Sequence, residues 1–201
     1  MDAATIAQIF ISLFVVIDPL GTMVLFLAMT TEYSEEEKRT ATKDAFFYGL
    51  VILVAFTIGG SFLLILMGIS ISSIQVAGGI ILLIMGIEMV REGDRPKSTG
   101  KTYKNPDLGI VPFATPLLAG PGAISLVIIL AQGNIWRVIA ILVSLVAIFI
   151  MVYMLFSSAT RISRTVGDKS LKAVTRIFGL LVAAFAVQFI FDAVARIAVS
   201  L

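Results

Sequence analysis

The sequence predicts an all-α membrane protein with six transmembrane helices arranged as two inverted three-helix repeats, the first and fourth helices being broken. Three observations lead there. Of 201 residues, 59% are hydrophobic and 14% charged, and the mean hydropathy of +1.05 lies outside the range of soluble domains. Six apolar runs recur near residues 4–30, 46–67, 70–90, 109–131, 135–157 and 174–199, each close to the roughly 20 residues that cross a bilayer as a helix. Prolines interrupt the first and fourth runs at corresponding places, where a backbone broken in hydrocarbon leaves polar groups that something must satisfy.

The first run reads as two half-helices, residues 5–17 and 19–29. Asp18 is suited to N-cap the second, with Pro19 at its first position, where the missing N–H is no loss. An ionisable carboxylate at a helix break in mid-membrane is also suited to an ammonium, a Na⁺ or a proton. The run lacks a basic leader and a small-residue cleavage site, so it is expected to stay in the mature chain.

The second run follows Ser34-Glu35-Glu36-Glu37, a capping-box pattern that starts the helix before its apolar part. In the second and third runs Gly59, Gly60, Gly78, Gly79 and Gly86 read as small residues that let helices approach closely. The fourth run holds Pro112, Pro116 and Pro121, too many for a straight helix. An unwound stretch over residues 119–122 is expected, with a new helix from Pro121 whose free N–H groups, on Gly122 through Ser125, suit a carboxylate. Small residues, Ala119, Gly120, Gly122 and Ala123, leave the backbone there open to close contact. The fifth run is uninterrupted, and the sixth carries Gln188 in its middle, able to bond substrate or a neighbouring helix.

Domain organisation follows from internal similarity. Residues 1–90 form a first three-helix repeat, 91–108 a polar cytoplasmic linker and 109–201 a second repeat. At an offset of one hundred, Gly79 falls on Gly179, Gly86 on Ala186 and Glu88 on Gln188; at an offset of 102, Pro19 falls on Pro121. An odd number of spans per repeat inverts the second copy, a plan used by many secondary transporters. Basic residues gather after runs one, three and five: Lys38, Arg39 and Lys43; Arg91, Arg95, Lys97, Lys101 and Lys104; Arg161, Arg164, Lys169 and Lys172. The positive-inside rule then places those loops in the cytoplasm and both termini outside the cell membrane.

Composition also removes function classes. With no cysteine and no histidine, disulfide, thiolate-metal and thiol-redox chemistry have no residues to use. No His, Cys or paired carboxylates converge within the spans, so no enzymatic activity and no resident cofactor or metal are expected. Lys and Arg sit in loops as topology signals, so nucleic acid is not an expected partner. The two breaks together suggest a zwitterion site: the helix start at Gly122 and Ala123 for an α-carboxylate, Asp18 and nearby carbonyls for an ammonium or cation. The site residues read from sequence are Asp18, Pro19, Gly21, Thr22, Ala119, Gly120, Pro121, Gly122, Ala123, Ser125 and Gln188. Expected partners are a small zwitterionic amino acid and the lipid bilayer, with a homo-oligomer a further option. A channel or exporter for another small solute and a non-transporting scaffold are the rival classes.

At these residues the chain resembles the MarC family of multi-pass membrane proteins, which includes small neutral amino acid transporters. The resemblance covers nearly the whole chain, through Asp18-Pro19-Leu20-Gly21, the stretch from Pro116 through Ala119-Gly120-Pro121-Gly122-Ala123 to Ile124, and Arg176 through Gly179 to Ala186-Val187-Gln188. The family pattern usually has Asn and Pro where this chain has Thr22 and Val24. The resemblance implies a six-helix inverted-repeat fold akin to the lysine exporter group, glycine and alanine as leading substrates, and coupling to H⁺ or Na⁺. A distantly similar group moves reducing equivalents through membrane cysteines, which this chain lacks.

Overall fold

A computed structural model describes residues 3–30, 33–92, 107–166 and 168–200, and among these every element is helical. The order is α1 (Ala3–Ile17), α2 (Pro19–Met29), α3 (Glu35–Met67), α4 (Ile71–Glu92), a π-type segment (Gly109–Leu118), α5 (Pro121–Leu130), α6 (Ile135–Val166) and α7 (Asp168–Ser200). Five described segments are long and apolar enough to cross a membrane: Ala3–Leu27, Glu35–Met67, Ile71–Arg91, Ile135–Ala159 and Arg176–Ala198. The fourth apolar run is not a sixth of that kind. It is divided between the π-type segment and the short α5. Most of the expected linker, residues 93–106, lies outside the described residues.

Local chemistry sets the ends. Ser34 and Glu37 form the expected capping box, with Glu37 N–H donating to Ser34 Oγ over 3.2 Å and Ser34 N–H to the Glu37 carboxylate over 2.6 Å. Gly68 closes α3 at φ 67°, a left-handed turn that glycine takes without a Cβ clash, and Ile69 N–H returns to Leu64 C=O. Buried threonine hydroxyls find partners one turn back: Thr30 donates to Phe26 C=O, Thr42 to Lys38 C=O and Thr57 to Leu53 C=O.

Packing interleaves the two halves. The π-type segment and α5 lie against α3, α5 also against α4; α1 and α2 lie against α6, α2 also against α7; α3 meets α6 and α4 meets α7. The larger contacts therefore each join an element of residues 3–92 to one of residues 107–200. Phe26 of α2, Phe113 of the π-type segment and Phe156 of α6 pack ring on ring, with centroids 4.4 to 5.6 Å apart, on the side that carries the basic loops.

The most extensive interface, α4 on α7, is antiparallel and built on small residues. A Cβ on Gly86 would come within 2.7 Å of Gly179 C=O and Ala183 N; one on Gly179 within 2.9 Å of Gly86 C=O; one on Gly79 within 3.0 Å of Ala186 C=O. Gly79 therefore faces Ala186 as Gly179 faces Gly86. Burial repeats with the same offset, residues 79–89 and 179–189 matching position by position, with Leu82 and Val182 both fully buried at the crossing. Gly60, against Ile128, and Gly78, against Ser125, also serve close approach. Gly59 does not, since a Cβ there would meet nothing within 4 Å.

Gly86→Ala and Gly179→Ala are each expected to lower the melting temperature of detergent-purified protein, equivalent to about 1–3 kcal/mol of overpacking. Gly59→Ala should be neutral or stabilising by up to about 1 kcal/mol. Equal melting of all three variants would contradict the close α4–α7 contact.

Candidate functional site

The break between α1 and α2 is one residue wide. Asp18 takes φ 47°, ψ 66°, a left-handed conformation that Asp tolerates better than most residues. Pro19 disfavours a right-handed helical residue before it and has no N–H to return to Val15 C=O. The break is then closed locally. Asp18 N–H continues α1 by donating to Phe14 C=O over 3.0 Å, its Oδ1 accepts Gly21 N–H over 3.0 Å, and its C=O accepts both Thr22 N–H (3.0 Å) and Thr22 Oγ1–H (2.8 Å). The Asp18 carboxyl folds over Gly21 so tightly that a Cβ there would lie 2.9 Å from Asp18 Cγ. Glycine at 21 is thus a condition of the cap.

The second break is longer than the sequence reading had it. Val111 (φ −128°, ψ 116°) and Thr115 (φ −135°, ψ 125°) are extended inside the π-type segment. Each precedes a proline, Pro112 and Pro116, whose ring drives its predecessor out of the helical region. Unwinding therefore begins well before Ala119. A wide turn from Ala119 N–H to Ala114 C=O (2.9 Å) ends the segment, Gly120 is extended at φ −79°, ψ 168°, and α5 starts at Pro121 as expected. No side chain caps α5. Its ladder opens with Ile124 N–H on Gly120 C=O, so the donors ahead of it are those of Gly122 and Ala123. The expected set through Ser125 is narrower by two.

Both breaks lie beside one face of α4. A Cβ on Gly122 would run into the Leu82 side chain, and one on Gly21 would come within 2.8 Å of Met89 Cε. Leu82 stands at the middle of α4, so the start of α5 is level with the centre of a full span. Leu82 and Met89 are seven residues apart on one helix face, about 10 Å along its axis. The broken segments also touch each other, α1 on α5 and α2 on the π-type segment.

The residues singled out from sequence divide accordingly. Asp18, Pro19, Gly21 and Thr22 are buried around the first break, and Ala119, Gly120, Gly122 and Ala123 around the second, whereas Pro121 is exposed. Thr22 spends its hydroxyl proton on Asp18 C=O. Ser125 donates to Pro121 C=O (2.7 Å) and lies 3.3 Å from Ile74 C=O, tying α5 to α4. Gln188 is not brought to either break: it is exposed on α7 and donates through Nε2 to Asp192 Oδ1 over 2.7 Å. Gln75 of α4, by contrast, is buried and was missed. The signal available for it was a lone amide in helical phase with Gly78, Gly79, Leu82 and Gly86. Among the described residues no three His, Cys, Asp or Glu side chains gather, and the polar groups at the two breaks are the Asp18 carboxyl, the Thr22 and Ser125 hydroxyls and backbone.

Together the fold and the breaks define a polytopic helical membrane protein with two interrupted helical segments in contact inside the bundle. The profile described as MarC family integral membrane protein matches residues 3–198, and the chain belongs to that family. A UPF0056 membrane protein of Methanocaldococcus jannaschii is 30% identical over 200 residues, 96% of this chain and 98% of that one. A UPF0056 membrane protein of Aquifex aeolicus is 32% identical, covering 91% and 89%, and the UPF0056 membrane protein YvbG of Bacillus subtilis 28%, covering 92% of each. No solved structure matches the chain.

Asp18→Asn should melt with the native protein, because asparagine both caps helices and accepts left-handed φ. Asp18→Ala loses the cap and strains the backbone, and is expected to be less stable by about 2 kcal/mol. An alanine variant as stable as the native protein in the same melting assay would show that the cap does not hold the break.

Proposed function

We propose that the chain is a secondary transporter of small neutral amino acids, glycine and alanine first, working by alternating access around the two breaks. The observation that carries this is the pairing, beside one face of α4, of a buried carboxyl at the first break with an uncapped helix start at mid-span in the second. A zwitterion presents the complementary pair of charges. Its carboxylate suits the N–H groups of Gly122 and Ala123, where the α5 dipole adds its positive end. Its ammonium suits the Asp18 carboxyl and the carbonyls beside it. Small neighbours, Gly21, Gly120, Gly122 and Ala123, favour a small cargo.

The matching burial of α4 and α7 and the exchange of Gly79–Ala186 for Gly179–Gly86 support a reading as two inverted three-helix repeats, each with one broken span. Such repeats give a carrier two related conformations, one open to each side. Lys38, Arg39, Lys43, Arg91 and Arg161 support placing the end that carries the Phe26, Phe113 and Phe156 cluster at the cytoplasmic face of the cell membrane. On that placement, the packed rings would close the cytoplasmic half. Coupling to H⁺ or Na⁺ would act through the same carboxyl.

The test is uptake of labelled glycine into proteoliposomes under imposed proton or sodium gradients. Uptake should saturate, respond to a gradient and compete with alanine. Asp18→Asn, though stably folded, should reduce it by about ten-fold or more, a loss of at least about 1.4 kcal/mol at the rate-limiting step. Flux that neither saturates nor follows a gradient would point to a channel, and no flux at all to a scaffold.

A further inference from the structure

Among buried side-chain nitrogens and oxygens of the described residues, one lacks a hydrogen-bond partner: Oε1 of Gln75, a residue 2% exposed. The buried hydroxyls of Thr22, Thr30, Thr42, Thr57 and Ser125 are all bonded. An orphaned amide oxygen is destabilising, and a leucine would fill the place without that penalty. Packing alone gives no reason for a glutamine in a seam of Gly78, Gly79, Leu82 and Gly86.

Its position supplies one. Successive residues on α4 turn by 100°, which sets Gln75 between Gly78, facing Ser125 of α5, and Gly79, facing α7. Gln75 therefore lies on the face of α4 turned between α5 and α7, both of which also pack on α1. Along the helix it stands seven residues from Leu82, about 10 Å from the level of the second break toward the end opposite the basic loops. The polar atoms of the α4–α5 seam next to it are oxygens: Pro121 C=O, Ile74 C=O and Ser125 Oγ, whose one proton is already directed at those carbonyls. These add acceptors beside the amide, whose own Nε2 carries the two donors there.

We propose that Gln75 is a cargo contact in the passage between the mid-span breaks and the surface opposite the basic loops, its Oε1 receiving the ammonium group of a zwitterion in transit. This rests on the transporter reading above. In the conformation described Gln75 is buried and its oxygen has no protein donor.

The test compares the native protein with Gln75→Leu and Gln75→Met in proteoliposomes, with labelled glycine as the probe, beside melting of each purified variant. Both variants should melt at or above the native temperature, since they remove an unsatisfied group. Glycine flux should fall about ten-fold or more for a lost hydrogen bond to a charged group, with glycine affinity at equilibrium unchanged. Native flux in both variants would overturn the proposal and leave the transporter reading standing. A change confined to the sodium or pH dependence would assign the oxygen to a coupling ion and likewise overturn it. Absence of flux in the native protein would remove the transporter reading and this one with it.

Discussion

A peptide group placed in hydrocarbon must find its partner within the protein, and that constraint organises this chain. Pro19 and Pro121 each withdraw a donor from a segment that would otherwise continue as helix. The first loss is made good within four residues, by the Asp18 carboxyl on Gly21 N–H and by Thr22 on Asp18 C=O. The second is not closed in that way, because Gly120 has no side chain with which to cap α5. The two interruptions thus differ in kind: one ends in a buried carboxyl, the other in backbone donors at the positive end of a helix.

Such segments would be untenable if left open to lipid, and the interleaved packing covers most of each, with Val111 and Pro121 left exposed. α1 and α2 are held by α6 and α7, while the π-type segment and α5 are held by α3 and α4. Each broken piece is covered chiefly by unbroken helices from the other half of the chain, with Met89 of α4 (for the first) and α6 (for the second) adding cover from the same half. The Gly86, Gly179 and Ala183 contacts that bring α4 and α7 together serve the same end, for α4 also carries Leu82 and Met89 beside the two breaks.

Much of this was legible in the sequence because proline and glycine act locally. Pro19 after Asp18 fixed a cap and a break at a single residue, and Pro121 after Gly120 fixed the start of α5. The capping box at Ser34 and Glu37 needed no tertiary information either. What lay beyond reach depended on which face of a helix turns inward. Gln188 and Gln75 are both single amides in apolar runs, yet only Gln75 shares a face with the Gly78 and Gly79 contacts, while Gln188 turns outward and bonds Asp192. The extended residues Val111 and Thr115 follow from the prolines after them, but their effect accumulated into a segment short of a full span, which counting apolar residues does not reveal.

The account stands on cargo meeting backbone at the start of α5. Its most direct measurement is a glycine titration of the purified protein with ¹⁵N-labelled glycine and alanine residues, followed by amide NMR. The account predicts saturable shifts at Gly122 and Ala123, with Gly59 on the outer face of α3 unmoved. Amides at 122 and 123 that stay fixed while glycine binds would contradict it.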